Sequence, residues 1–373
     1  MKKKIFKNVS IISSLFILAS CGILFDSEDE TTDNSNQEDT NEQTTETEEN
    51  EPEENEFEVT QDLTAWIPRL ENVVYEYEGI NNEYAEFIFT PQFNEEDYYQ
   101  FVTDNGGTTM AEIYEYQENE IVQIFSRPET YFRDNFIEIG LPDEYKEDEV
   151  ILKQPIEEGT KWSGEEDEYE ITDTSAEVEV PEGTYSAIEV TIKHEDATTK
   201  RYYAEDVGLV HEIYEAEEMT VESKLENIKE DTVEELPFNV YIPGPEAIGM
   251  DIVDAQLELE TNAPARKAIN ELLLGQDEDF EEAKILPDDT IINYLFLNEE
   301  NIVEVDLSKE FVENMNAGST GELFTVYTLV NTLADYYGSE EVLLTVEEKP
   351  YEGAHMTLEE GETLDFEYEM MDE

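Results

Sequence analysis

A single cysteine, Cys21, stands in 373 residues, so no disulfide can form within the chain. The folded part must hold together by core packing alone, and 39% apolar residues with 21 tyrosines supply the material. Basic residues are almost as scarce: 20 Lys and Arg face 98 Asp and Glu, a net charge of −78. No basic patch can release counterions from phosphates, which argues against nucleic acid as a partner. The same field opposes lying flat on an anionic lipid surface. Catalytic signatures are lacking too. No H-E-x-x-H occurs, and no Ser/His/Asp or Cys/His set. Paired carboxylates could serve a glycosidase, but among 98 acids any pair is uninformative. His194 and His211 could be imagined as metal ligands with Glu195, Glu212 or Glu215. The local pattern is strand, however, where residues i and i+4 lie about 13 Å apart. They are expected to be structural or exposed, and the chain is expected to hold no metal or cofactor and to be no enzyme.

What is present begins at the N-terminus. Lys2, Lys3, Lys4 and Lys7 precede an apolar run from Val9 to Ala19. That is a secretory signal by its charged start, short apolar centre and small residues. A spanning helix needs about 20 residues, so the run is read as cleaved rather than kept. Leu18-Ala19-Ser20-Cys21 resembles the bacterial lipobox. The resemblance implies acylation of the Cys21 sulfur, cleavage before it, and a lipid anchor on the outer face of the cell membrane. Two acyl chains hold far better than one, at about 0.8 kcal/mol per buried CH2. Loss of residues 1–20, with four lysines and no acid, would take the charge from −78 to −82.

Residues 21–62 read as a tether. No Lys or Arg occurs from Gly22 to Pro68, and Ser27 to Asn55 is almost entirely acidic and polar. Such a segment cannot bury enough apolar surface to order itself, and like charges extend it. It fits no calcium-loop pattern. Acids crowd every later segment as well, which favours adaptation to high salt, where screening shrinks to about 3 Å at 1 M. A role in binding a cationic ligand or a divalent metal is the competing explanation.

Residues 63–228 are rich in aromatic and β-branched residues with short turn signals. Val73, Tyr75 and Tyr77 alternate with Val74, Glu76 and Glu78; Ala85, Phe87 and Phe89 repeat the pattern. Ala111 to Tyr116 and Ile121 to Phe125 flank Gln117-Glu118-Asn119-Glu120 as a hairpin. Pro181-Glu182-Gly183 is a turn after Glu177 to Val180, and runs from Tyr185, Lys200 and Leu209 follow. The expected fold is a mostly antiparallel sheet, curved or partly closed. Trp162 and the tyrosines would be core, or would line a pocket. Segments such as Gly159-Thr160-Lys161-Trp162 resemble β-rich bacterial surface lipoproteins, which implies no function.

Residues 236–347 change period. Phe238, Val240 and Ile242 alternate up to Pro243-Gly244-Pro245. Asn262 is placed to cap a helix with Ala265, Ala268, Ile269 and Leu272 on one face and Gly275 as its stop. Thr290 to Leu297 and Ile302 to Leu307 form a hairpin. Ser319-Thr320-Gly321-Glu322 fits a capping box before a stripe of Leu323, Val326, Tyr327, Val330, Ala334 and Tyr337. Val342, Leu344 and Val346 end the pattern. The expectation is a β-α-β-β-α-β order in one sheet, an α+β sandwich with helices on one face. Residues 348–373 read as an acidic tail in which Tyr351, His355 and Met356 could add an edge strand.

The same region resembles the GerMN domain of sporulation and germination proteins. Ala268-Ile269-Asn270-Glu271-Leu272-Leu273-Leu274-Gly275 is similar to its first helix, and Leu286-Pro287-Asp288-Asp289-Thr290 to the turn that follows. Val303 to Phe311 is similar to its hairpin return, and Leu329-Val330-Asn331-Thr332-Leu333 to its second helix. Gln276 to Lys284 is longer and more acidic than the family pattern. The resemblance implies an extracytoplasmic, often lipid-anchored module, with a fold similar to ring-building domains. It implies an envelope protein partner or self-association rather than catalysis. Asp306 and Ser308 look like family marks, with the expected role of bonding backbone groups at the strand end. The leading function is thus a non-catalytic surface lipoprotein that docks in the envelope. A ligand-binding β-rich part, holding a lipid, glycan or peptide in a concave sheet, is the alternative, followed by an envelope hydrolase.

Overall fold

The computed structural model describes residues 62–244, 249–277 and 280–368. The signal, with Leu18, Ala19, Ser20 and Cys21, and all but the last residue of the tether lie outside the described residues. The described residues are mostly β, 49% strand and 15% helix.

The first part runs β1 (Val73–Ile80), β2 (Phe87–Glu95), β3 (Tyr98–Asp104), β4 (Thr109–Tyr116), β5 (Glu120–Arg127), α1 (Phe136–Ile139) and β6 (Lys146–Lys153). It continues with β7 (Lys161–Ser163), β8 (Glu168–Glu179), β9 (Thr184–Lys193), β10 (Ala197–Ala204), β11 (Gly208–Ala216) and β12 (Met219–Glu230). All twelve join one antiparallel sheet in the order β6-β5-β4-β3-β2-β1-β12-β11-β10-β9-β8-β7. Two six-stranded meanders are thus sewn together by β1 and β12. The expected hairpin turns are present: Gln117 N–H bonds the Glu120 carbonyl, and Val180 N–H bonds that of Gly183. Register shifts at Glu76/Tyr77, Pro91/Phe93, Ile113/Tyr114 and Tyr202/Tyr203 curl the sheet. The two edge strands approach each other without pairing. Trp162 on β7 donates its indole N–H to the Val150 carbonyl on β6 at 2.8 Å, and the Tyr169 hydroxyl meets Glu149. The result is a near-barrel.

The second part holds β13 (Glu234–Pro243), β14 (Met250–Leu259), α2 (Ala265–Leu273), β15 (Ile292–Leu297), β16 (Ile302–Leu307), α3 (Glu310–Glu313) and α4 (Ser319–Tyr337). It ends with β17 (Glu341–Val346), β18 (Lys349–Pro350) and β19 (Leu364–Asp365). The expected single sheet is corrected to two. β13 and β14 form their own hairpin, while β15, β16, β17 and β18 form a second sheet, with β19 also on β17. β14 went unforeseen because Asp251, Asp254 and Glu258 interrupt its apolar residues. Helix α4 links β16 to its parallel neighbour β17.

Two expected caps are also corrected. Gly318, without a side-chain bond, caps α4, so no capping box forms. Glu322 turns away to accept hydrogen bonds from the Tyr351 hydroxyl and the His355 and Met356 N–H groups, all at 3.0–3.1 Å. Pro264 rather than Asn262 precedes α2, and Asn262 sits at φ +67° with its side chain on Asn94 N–H. Nor is α4 a one-faced helix: from Thr328 to Ala334 every residue is buried. The described residues after 348 pack rather than trail, since Tyr351, Leu358 and Leu364 are all buried in the core.

The two parts share one apolar core. The outer face of β3–β5 (Val102, Ala111, Ile113, Phe125) packs with Phe238, Ile269, Leu295 and Leu333 in a single cluster. A buried segment after β5 locks the seam. Arg133 pairs with Glu234 at 2.6 Å and donates to the carbonyls of Gln92 and Glu260, both at 2.8 Å. Asp134 accepts from Leu297 N–H at 3.1 Å and the Tyr337 hydroxyl at 2.8 Å. Phe132 lies 4.9 Å from the Tyr337 ring.

Candidate functional site

Side chains on the inner face of the near-barrel do not fill it. A cavity of about 180 Å3 remains between β1–β4 and β10–β11. Its wall is aromatic, because alternate residues of these strands point inward: Tyr75 and Tyr77, Phe87 and Phe89, Tyr99 and Phe101. Tyr77 and Phe87 stack at 4.2 Å, and Phe101 meets Tyr114 edge-on at 4.8 Å.

One end is corked by the segment before β1. Leu63 and Ile67 are buried there. The Tyr116 hydroxyl donates to the Ile67 carbonyl at 3.0 Å, and the Tyr99 hydroxyl bonds the backbone of Leu70 at 3.1 Å. The other end leads to a groove of about 280 Å3 lined by Tyr84, Asn105, Thr108, Met110 and Ser126. Groove and cavity share Phe87, Thr103 and Glu112, so these three residues stand at the junction. Tyr84 is 52% exposed, and its ring lies so close over Gly107 that a Cβ there would sit 2.7 Å from it.

Few polar groups enter this wall. Arg201 Nε donates to Glu212 at 2.7 Å. Burial works against the arginine charge, but Glu212 holds its pKa well above the ordinary value. Glu112 accepts from the Thr103 hydroxyl at 3.1 Å. Burial pushes its carboxyl up to about 7, against the smaller opposing effects of Thr103 and Arg201. Burial likewise raises the Tyr77 and Tyr114 phenols. A mostly apolar cavity with convergent polar groups and one displaced carboxyl is a binding site in form.

Several residues singled out from sequence lie elsewhere. Trp162 stacks on Tyr169 at 5.4 Å within a separate core cluster. His194 bonds Asp167 and Thr199 at 2.8 and 2.9 Å, and His211 bonds Glu222 at 3.0 Å while stacking on Tyr202. Among the described residues no group of three or more His, Cys, Asp or Glu is arranged to hold a metal ion. Asp306 accepts from Thr345, Asn293 and Glu348 N–H, and Ser308 Oγ accepts from Ile291 N–H, so both tie strand ends. Glu112, Arg201 and Glu212 were not singled out as cavity residues, because charged residues on strands otherwise read as solvent-facing.

No helix among the described residues is long and apolar enough to cross a membrane. A protein described as a lipoprotein from Clostridium perfringens is 17% identical over 36% of this chain and 88% of its own, with a TM-score of 0.23. One similarly described from Parabacteroides distasonis is 15% identical over 45% and 100%, with a TM-score of 0.29. An exported protein with a YmcC-like fold from Bacteroides fragilis is 12% identical over 44% and 98%, with a TM-score of 0.24. Likeness at this level carries no argument. No curated protein matches the chain. Residues 239–352, from β13 to just past β18, match the Germane family, described as sporulation and spore germination, in agreement with the motifs read from its helices and hairpin.

Proposed function

We propose that the protein is a lipid-anchored, non-catalytic lipoprotein on the extracytoplasmic face of the cell membrane, whose Germane segment docks to an envelope protein or to a second copy during sporulation or germination. The match at 239–352 carries this reading, and the lipobox resemblance at Leu18 to Cys21 supplies the anchor. The acidic residues 21–62 would hold the folded part off the membrane. Labelling cells with palmitate tests the anchor: label should appear on the wild type and vanish with Cys21→Ala. Deleting the gene tests the developmental part, which fails if spore formation and germination are unchanged. Crosslinking on intact cells with mass spectrometry identifies the docking partner, and turnover of a wall polymer by the purified protein would end the non-catalytic reading.

A second reading is favoured by the cavity: the β-rich part holds a ligand. Its inner face is largely occupied by its own rings, yet the remaining space is open at one end and carries Glu112 at the junction.

A further inference from the structure

We propose that the near-barrel binds a small organic cation with an apolar body, its ammonium group against Glu112 and its body against the aromatic wall. This rests on the ligand-holding reading and names the ligand class.

Glu112 lies where the open groove meets the inner cavity, so an entering molecule passes it before reaching the rings that line only the inner cavity. Arg201 is committed to Glu212 at 2.7 Å, whereas the described hydrogen bond of Glu112 comes only from a neutral hydroxyl. The charged groups that act on Glu112 are Arg201 on β10, Glu212 on β11 and Glu149 on β6. The titratable phenols of Tyr114 and Tyr203 also line the cavity. Acids outnumber the one cation, and an anionic ligand would meet them within a chain of net charge −78. A cation instead gains a counter-charge and the negative faces of the rings around it. About 180 Å3 is close to the roughly 150 Å3 void that admits benzene in another protein. A ring-sized or short branched body fits, and a diacyl lipid does not.

Binding would be coupled to protonation. Near neutral pH the Glu112 carboxyl is divided between its two forms. A bound cation favours the ionised one, so affinity rises with pH across that range.

The test is calorimetric titration of the full chain with phenethylammonium and its neutral counterpart 2-phenylethanol, near pH 6 and near pH 8. The cation should bind with Kd below about 1 mM, at least about tenfold tighter than the alcohol near pH 8. Its affinity should climb several-fold between the two pH values. Glu112→Gln should abolish both the preference and the climb, and the wild-type comparison decides the matter even if that variant fails to fold. Equal affinity for cation and alcohol overturns the ligand class while leaving a ligand cavity. No binding of either at about 10 mM overturns both.

Discussion

Asp134 offers the sharpest quantitative test of the seam. The residue is 5% exposed, with Leu297 N–H on one carboxyl oxygen and the Tyr337 hydroxyl on the other. Burial raises its pKa from 3.8 to about 7, against the opposing pull of those two bonds and of Arg127. The sign follows. Between the two pKa values the unfolded chain has released its proton while the folded chain retains it, so folding stability falls as pH rises through that window. Above about 7 the loss is complete; below the unfolded value it is absent. One pH unit is worth at most about 1.4 kcal/mol, and the interval from near pH 5 to near pH 8 should remove about 2.5 kcal/mol. Asp134→Asn keeps both contacts, its amide oxygen accepting from Leu297 and its amide group donating to Tyr337, and it does not titrate. Urea melts of both proteins at fixed salt give the difference directly, with the background of other acids cancelling to first order. The variant should be the more stable near pH 8, with an advantage that shrinks by about 2.5 kcal/mol near pH 5. An advantage independent of pH, or a variant less stable near pH 8, would refute the buried-carboxyl argument.

Other outcomes follow from the same geometry. Arg133→Met strands the buried Glu234 and should lower stability by about 3–5 kcal/mol, with a much smaller loss when Glu234→Leu is added, measured by denaturant melts. Gly353→Ala would place a Cβ 2.1 Å from Glu322 Oε1 and 2.3 Å from the Tyr351 hydroxyl, so hydrogen exchange should quicken around residues 351–358. Gly79→Ala would put a Cβ 2.2 Å from the Glu86 backbone nitrogen and should lower the Tm by several degrees, about 1–3 kcal/mol of overpacking. Molar NaCl should raise the Tm by screening 98 acids, and a fall in Tm would count against salt adaptation.

Much of the near-barrel was legible because its hairpins alternate and turn where proline, glycine and polar clusters demand it. The runs at Val73, Ala111, Ile121 and Tyr185 all fall on strands. β3 and β12 are hidden in the sequence for different physical reasons. β3 buries Tyr99, Gln100, Phe101 and Val102 in succession, because one face looks into the barrel and the other onto the second part, so no alternation survives. β12 carries Glu222, Lys224, Glu226 and Lys229 and reads as a charged surface segment. The same two-sided burial hid the cavity: Glu112 is flanked by Ala111 and Ile113, which face the opposite core. The helices of the second part were legible by spacing, but Glu322 was not, since its partners lie about 30 residues onward.

That two-sided burial also decides what can fold alone. The Germane segment borrows its closure from the near-barrel. Tyr336 and Tyr337 at the end of α4 bond the backbone of Arg133 and the carboxyl of Asp134, and Leu297 N–H at the end of β15 has Asp134 as its acceptor. Glu234 at the start of β13 finds its counter-charge on Arg133. A fragment spanning residues 232–373 would therefore expose the apolar seat of Phe132 and Phe136 and leave a carboxylate and two phenols without partners. Each unsatisfied polar group costs about 1–3 kcal/mol if it stays buried, and a patch of this kind invites association. The fragment should retain far-ultraviolet circular dichroism of mixed α and β type, yet bind a hydrophobic dye and melt without a cooperative transition. The chain from residue 58 onward should melt once, with both parts lost together. A fragment that melts as sharply as the longer chain would show that the seam is a contact between finished domains and not part of a common core.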